Sequence, residues 1–551
     1  MTAGWKRFGG ALAGGLLLAA AFPRLGQNYV AWMAMVPLLV AVRGIAPRKA
    51  AGYGWITGFV FFLVTISWVP DTISNFTAIS PLLAKAILVL MAAACAYSYA
   101  LFAFALEALA ARGVSRLLAA PVLWVVLEWM RCFVVAEFPW NLLGYSQLPY
   151  LALVQAADLG GIYLISAAIV LCNAALADAL AAARGHNHAD RSAAARVLLA
   201  VMCPVVLLSY GTWRLSGLRD VPYTGSLRVA ITQGNIPQNA KWDAAWADHI
   251  FATYVRLTEQ AAAAGAQLVV WPEAALPFYI QRDMRSIELQ RIARERGIDL
   301  LVGAPGLEDR DGTGAKDYNQ AWLLRADGDV QGPYDKMQLV PFGEYIPLYG
   351  LFGLVSIAVE SVGQLGRGDE YTIFETMEME PVQAAGGDAP RRARFATLIC
   401  YEGIFPGLTR RFAAAGADFL VNISNDAWYG DTSAADQHLY MAAVRSIENR
   451  LPMVRSTNTG ISAFVTDEGR VGNTTPLFHE DLVIETVLMR DVWSFYRIYG
   501  DVFLHLCQGL LVLMVLAALR GRAAAARAEW GDRCLWSRAG RVARVDSAPI
   551  P

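Results

Sequence analysis

Strongly apolar stretches at 9–22, 29–42, 51–69, 81–111, 117–135, 160–183, 195–210 and 502–519 constrain this chain more than anything else in it. A bilayer core offers no water to satisfy peptide groups, so an apolar segment that crosses it must be helical. A hydrocarbon core of about 30 Å takes about 20 helical residues. The segments at 9–22 and 29–42 fall short of that and read as a tilted or thinned hairpin. Lys6 and Arg7 ahead of the first run look like the start of a signal peptide. More spans follow, which makes this run an uncleaved first helix. With 56% hydrophobic and 17% charged residues, against about 25% charged in ordinary soluble proteins, the chain needs lipid as part of its solvent. The expectation is a multi-span α-helical membrane domain of about eight spans.

The polar stretch between the seventh and eighth segments is a second domain, and basic residues assign its side. Lys6/Arg7, Arg43/Arg48/Lys49, Arg112/Arg116, Arg184/Arg191/Arg196 and Arg520/Arg522/Arg527 fall on one face when the segments alternate, and the loop 71–80 has neither lysine nor arginine. Such an excess marks the cytoplasmic side. The expected division is a membrane domain of seven spans at 1–216, an extracytoplasmic domain at 217–496, an eighth span at 497–520 and a basic cytoplasmic tail at 521–551. Both termini are then cytoplasmic, and in a Gram-negative cell the polar domain is periplasmic, on the inner membrane.

Charges at membrane depth are costly unless paired or wet, which singles out Lys85, Glu107, Glu128 and Arg131. Glu128 and Arg131 lie one helical turn apart and are expected to form a structural ion pair. The aromatic, turn-rich connection 137–147 reads as an interfacial belt. A net charge of −1 with no basic stripe argues against a nucleic-acid partner. His186 and His188 read as a solvated turn. With no metal-spaced cluster, phosphate loop or dinucleotide fingerprint, no metal or cofactor is expected.

In the polar domain, strand-like runs at 227–232, 267–271, 299–303, 320–325, 393–399, 419–423, 453–456 and 462–466 alternate with helical stretches at 245–264, 284–296 and 436–449. Apolar strands between helices imply sheets covered by helices. Two insertions interrupt them. The apolar 341–365 reads as a lid that touches lipid and opens for acyl chains, and 375–392 as a loose surface loop.

One of those runs, Arg394 to Ile399, ends in Cys400-Tyr401-Glu402 ahead of a turn-prone segment, which puts a thiol at the carboxyl end of a strand. Such ends are where α/β proteins place chemistry. The other six cysteines lie in or beside apolar helical segments, so Cys400 has no disulfide partner in its domain and stays a thiol even outside the cytoplasm. A thiol near pKa 8.5 needs a base or cation beside it to act as a nucleophile. Val269-Val270-Trp271-Pro272-Glu273 delivers a carboxylate at a strand end, and Tyr334-Asp335-Lys336 delivers a lysine beside Leu339-Val340-Pro341-Phe342-Gly343-Glu344. Glu273 can take the proton and Lys336 can stabilise the thiolate and an oxyanion.

Glu, Lys and Cys in this order resemble the catalytic triad of the nitrilase, or carbon-nitrogen hydrolase, superfamily. Within it, five motifs resemble the apolipoprotein N-acyltransferase family. They are Gln233-Gly234-Asn235-Ile236-Pro237-Gln238 with Lys241-Trp242; Trp271-Pro272-Glu273; Tyr334-Asp335-Lys336 with the Leu339–Tyr345 run; Ile399-Cys400-Tyr401-Glu402; and Asn422-Ile423-Ser424-Asn425-Asp426-Ala427-Trp428-Tyr429-Gly430. The resemblance implies an extracytoplasmic α-β-β-α sandwich. It implies that Glu344 and Glu402 support the site, that Tyr401 and Trp242 lie near an acyl pocket, and that Asn425, Asp426, Trp428, Tyr429 and Gly430 line the cleft. It also implies that 137–147 packs beneath the catalytic domain. The implied reaction is ping-pong: Cys400 takes an acyl chain from a phospholipid such as phosphatidylethanolamine and passes it to the α-amino group of a diacylglyceryl-cysteine apolipoprotein. A membrane-anchored amidase with the same triad, or a transporter or scaffold whose nitrilase-like domain is inert, are the alternatives.

Overall fold

In the computed structural model, residues 3–77, 79–134, 137–184, 191–309, 314–345, 365–379 and 391–520 are described. Helices form over every apolar segment: α1 (Ala3–Ala20), a broken stretch Asn28–Val42, α2 (Pro47–Thr65), α3 (Val69–Phe76), α4 (Pro81–Ala110), α5 (Arg116–Met130), α6 (Ala157–Arg184), α7 (Arg191–Arg219) and a final helix Val502–Arg520. By length and composition, four can cross a membrane: Pro81–Ala110, Ala157–Ala183, Ala193–Arg219 and Val502–Arg520. The pair α2 and α3, bent by 50° to each other, makes a fifth if it is one span. The other segments of the expected eight fall short for visible reasons. α5 has 15 residues, about 22 Å of helix; Asn28–Val42 is broken into three pieces; and α1 is diluted by glycines at 4, 9, 10, 14 and 15.

Where lipid tails are as apolar as the side chains, helices associate by close packing at small residues. A Cβ at Gly54 of α2 would come within 2.3 Å of the Tyr99 carbonyl in α4. Val197, Leu198, Val201, Met202, Val205 and Val206 of α7 are exposed as a continuous apolar face, which suits hydrocarbon and would be unusual in water. Glu107 is satisfied by two Arg116 hydrogen bonds of 2.7 Å and by the Gly44 N–H at 2.9 Å, and Lys85 is exposed. Glu128 and Arg131 do not form the expected ion pair. The chain leaves the helix at Arg131, and the connection that follows competes for both groups. Glu128 accepts from the Leu143 N–H at 2.7 Å; Arg131 donates to the Trp140 carbonyl and lies over the Phe62 ring.

The polar domain holds two six-stranded sheets. The first runs in the order β12-β1-β2-β3-β4-β5, and the second β11-β10-β9-β8-β7-β6. The strands are β1 (Gly225–Gln233), β2 (Leu268–Val270), β3 (Asp299–Glu308), β4 (Lys316–Leu324), β5 (Val330–Asp335), β6 (Ile373–Glu378), β7 (Arg392–Ile399), β8 (Phe419–Ser424), β9 (Met453–Thr457), β10 (Ala463–Val465), β11 (Val471–Gly472) and β12 (Asp481–Met489). The inner strands β1–β2–β3 and β7–β8–β9 are parallel, and β8 and β9 are buried along their whole length, as a sheet covered on both faces requires. α8 (Ala247–Ala263) and α9 (Arg285–Arg296) cover the first sheet. α10 (Pro406–Ala414) and α11 (Ser433–Asn449) cover the second, which completes an α/β sandwich. The sheets face each other at β1 and β9, where the Ser456 hydroxyl lies 3.1 Å from the Thr232 and Val270 carbonyls.

Four strands and α10 go beyond the sequence reading. β6 occupies the start of 375–392, so that segment opens as an edge strand and not as a loose loop; 380–390 lie outside the described residues. So do 346–364 of the expected lid, His186 and His188, and the tail 521–551.

Membrane helices and sandwich are joined by buried charge. Asp158 of α6 accepts from Arg450 at 2.7 Å and from Arg214 of α7 at 2.8 Å. Glu448 of α11 pairs with Arg445 at 3.1 Å and accepts from the Ile162 N–H at 2.9 Å. That contact falls at a break in α6, where Gly161 has φ +65°.

Candidate active site

Glu273, Lys336 and Cys400 follow β2, β5 and β7, so three strands of the two facing sheets deliver them to one end of the sandwich. All three are buried. The Lys336 ammonium donates to Glu273 Oε1 at 3.1 Å and to Glu344 Oε1 at 2.8 Å. Asn319 Nδ2 donates to the same Glu273 oxygen at 2.8 Å and to Glu344 at 3.3 Å. The Asn425 N–H donates to Glu273 Oε2 at 2.8 Å. Glu344 in turn accepts from the Val340 N–H at 2.8 Å, which fixes the loop that carries it. Two carboxylates and one lysine thus form a single hydrogen-bonded unit against the thiol.

Charge and burial set the protonation states. Burial pushes the Glu273 carboxyl up, but Lys336 and then Lys241 pull harder and hold it below its ordinary value. Burial lowers the Lys336 ammonium, yet Glu273 and Glu344 outweigh this and raise it well above the usual lysine value. The Cys400 thiol is pushed far up by burial and by Glu273, with Lys336 opposing. At rest the site therefore holds a carboxylate, an ammonium and a protonated thiol.

Cys400 opens a short 3-10 turn, Cys400–Ile404, at φ +55°. A residue with a Cβ holds that left-handed conformation only where its surroundings over-determine it. Glu402 does part of this. Its Oε1 accepts from the N–H groups of Met337 (2.7 Å) and Gln338 (3.0 Å), its Oε2 accepts from the Ile399 N–H (2.7 Å), and both oxygens accept from the Tyr334 hydroxyl. One buried carboxyl thereby ties the Lys336 loop to the turn that carries Cys400. Its burial pushes the group up to about 7, against the pull of the Ile399 and Gln338 N–H groups.

The remaining expected residues, Trp242 apart, sit around this centre. The Tyr401 hydroxyl donates to the Glu137 carbonyl at 2.8 Å, which joins the membrane connection to the turn after the thiol. Trp140 of that connection is buried and donates to Gln437 at 2.6 Å, so the segment packs beneath the sandwich, as the resemblance implies. Asn425 Nδ2 donates to Gln238 at 2.7 Å. Trp428 packs edge-on against Phe76 of α3 at 4.8 Å and Tyr429 against Trp68 at 5.1 Å. Trp242 lies outside the cluster with its indole exposed. Its neighbour Lys241 is buried and donates to the Glu273 carbonyl at 2.9 Å, and burial lowers its ammonium to about 8. Lys241 and Asn319 contact Glu273 directly, and the sequence reading placed neither at the site. Lys241 sat in a quoted motif, which was a usable signal; Asn319, inside β4, offered none.

Among the described residues no cluster of His, Cys, Asp and Glu is arranged to hold a metal. A four-layer sandwich with Glu, Lys and Cys at its strand ends, carried on apolar helices, defines a membrane-borne member of the carbon-nitrogen hydrolase superfamily. Residues 228–496 match the carbon-nitrogen hydrolase model, and residues 14–175 match the apolipoprotein N-acyltransferase N-terminal domain. The chain is 38% identical over 514 residues to the apolipoprotein N-acyltransferase of Geobacter metallireducens, covering 93% of this chain and 95% of that one. It is 33% identical to that of Brucella suis, covering 86% and 88%. The chain belongs to the apolipoprotein N-acyltransferase family. Among solved structures it is similar to an amidase from Nesterenkonia sp., at 21% identity and TM-score 0.35 over 51% of this chain and 95% of that one. It is also similar to Saccharomyces cerevisiae Nit3, at 18% identity and TM-score 0.36 over 48% and 91%.

Proposed function

We propose that this chain transfers an acyl chain from a phospholipid to the α-amino group of a diacylglyceryl-cysteine apolipoprotein through a thioester on Cys400. The observation that carries the reading is the Glu273–Lys336–Glu344 unit built against a buried thiol whose flanking turn bonds to the membrane connection. Because the thiol is held protonated and Glu273 ionised, free thiolate is scarce, and proton loss to Glu273 accompanies attack on the donor ester. The Cys400–acyl bond forms, negative charge develops on the carbonyl oxygen, and Lys336 stabilises it. Collapse breaks the ester bond, and Glu273 returns the proton to the departing lysophospholipid alkoxide. In the second half the neutral amine attacks the thioester, Glu273 takes its proton, the amide forms, and the thiol leaves reprotonated. Glu344 and Asn319 hold Lys336 and Glu273 in register. Asn425, Tyr401, Trp242 and Trp428 line the acyl approach.

The basic-residue count supports a catalytic domain at 217–496 on the extracytoplasmic side and a tail at 521–551 in the cytoplasm. It also supports eight crossings, with the short first helices as a hairpin. The contacts of Trp428 and Tyr429 with the membrane segment favour a lipid donor over the small amide of an amidase. Intact-mass analysis after incubation with phosphatidylethanolamine tests this. An acyl adduct on Cys400 that vanishes on adding a diacylglyceryl-cysteine peptide is expected. Absence of the adduct, or release of ammonia from small amides without lipid, would overturn the reading.

A further inference from the structure

The helix α11 presents two adjacent buried side chains with different loyalties. Gln437 reaches into the membrane domain: its Nε2 donates to the Thr65 carbonyl at the end of α2 at 3.0 Å and to the Pro23 carbonyl just beyond α1 at 3.1 Å. Its Oε1 accepts from Trp140 Nε1 at 2.6 Å. One amide thus gathers three membrane-domain segments. His438, the next residue, turns to the catalytic centre, where its Nε2 lies 3.2 Å from the Cys400 carbonyl oxygen. A carbonyl only accepts, so Nε2 must carry the hydrogen. Its Nδ1 is 3.1 Å from both Asp426 Oδ1 and Arg455 Nη2, and Arg455 pairs with Asp426 at 2.8 Å. The Ser424 hydroxyl adds a 2.7 Å bond to Asp426. Trp140, Tyr429 and His438 pack edge-on or tilted around this network with ring centres 6.0 Å apart.

We propose that Gln437 and His438 are a positioning pair that fixes the backbone of Cys400 from the membrane side, so that the packing of the helix ends at Pro23, Thr65 and Trp140 sets the aim of the thiol. The inference rests on the reading of Cys400 as the nucleophile. Its physical need is the left-handed backbone of Cys400, a conformation that must be held from outside. Besides the backbone bonds of its own 3-10 turn, the Cys400 carbonyl has two side-chain donors among the described hydrogen bonds, His438 and, at a longer 3.4 Å, Asn422 Nδ2. Without the histidine N–H the carbonyl loses its shorter side-chain restraint, the turn can tilt, and the sulfur moves relative to Glu273 and Lys336. Misplacement of a reacting atom by about 1 Å costs about 100-fold in rate.

The test uses the full chain in micelles with His438→Gln, His438→Asn, Gln437→Leu and Cys400→Ser. The amide nitrogen of glutamine takes the place of Nε2, whereas that of asparagine reaches only the Nδ1 position. Single-turnover acylation from phosphatidylethanolamine and the iodoacetamide rate at the Cys400 peptide are read together with KM for the phospholipid. Asn at 438 is expected to slow both rates by about tenfold to 100-fold with KM unchanged, and Gln to restore them to within about threefold. Leu at 437 is expected to slow both about tenfold although it touches no reacting group. Equal rates for Asn and Gln at 438, or wild-type rates for Gln437→Leu, overturn the pairing. If Cys400→Ser still transfers acyl chains, the nucleophile reading fails instead, whatever the pair does.

Discussion

Removing the acceptors of Glu402 should cost stability in proportion to the donors left behind. In Glu402→Ala, the Ile399 N–H and the Tyr334 hydroxyl, both fully buried, lose their partners, as do the half-buried N–H groups of Met337 and Gln338. A buried donor left unpaired costs about 1–3 kcal/mol and a half-buried one less, so the loss is about 4 kcal/mol. Glu402→Gln keeps one oxygen for Met337 and Gln338 but turns an amide NH2 toward the Ile399 N–H, for a loss of about 2 kcal/mol. At about 2 °C per kcal/mol for a domain of this size, thermal unfolding followed by tryptophan fluorescence in micelles should fall by about 8 °C and about 4 °C respectively. Acyl transfer should fall with them even below the melting range, because the same carboxyl holds the Lys336 loop against the Cys400 turn. An alanine variant that melts within about 2 °C of the parent would refute the reasoning.

Cys400→Ser, Glu273→Gln and Lys336→Met should each lower acyl transfer by at least about 10³-fold without lowering the melting temperature to match, read by mass shift of a diacylglyceryl-cysteine peptide. Asn319→Ala should cost about tenfold in kcat, since it frees the Glu273 oxygen that Lys336 also holds, and Asn319→Asp more, since it adds a third carboxylate. The ammonium of Lys241 is lowered from 10.5 to about 8 by burial. Between those pH values the unfolded chain therefore binds a proton that the folded chain does not, and stability rises with pH across the window. Lys241→Met should abolish that rise and raise stability at pH 7 by about 2 kcal/mol while lowering activity, as denaturation between pH 7 and 10.5 would register. Asp158→Asn should destabilise the whole molecule by about 3–5 kcal/mol by stranding Arg450 in a buried site, read as a drop in melting temperature.

Local pattern carried the strand-end positions well. Apolar runs ending in Glu273 and Cys400 place those side chains at sheet ends without any tertiary knowledge, and the structure has β2 and β7 there. Of the four missed strands, β11 is only two residues long, and β5, β6 and β12 are edge strands whose partial exposure mixes charge into the run, as in the Asp481–Met489 strand, so alternation is blurred. The Glu128–Arg131 pairing followed helical spacing, but the chain leaves the helix at Arg131, and backbone groups from a connection several residues later claimed both. Asn319 and His438 act through partners 46 and 38 residues away, a distance that periodicity does not reach. The crossing count was the least legible. Glycines in α1 and breaks at 28–42 are easy to see, but how short helices share a bilayer is settled by neighbours.

The ion network at Asp158, Arg214 and Arg450 has a practical corollary for anyone who wants a soluble enzyme from this chain. A cut near residue 217 would leave Arg450 and Glu448 without the acceptor and donor they use in α6, and would bare the face of α11 on which Trp140 rests. The excised fragment would start life with stranded charges and an oily wound. Lipid anchor and catalyst are one folding unit, to be extracted, purified and crystallised whole.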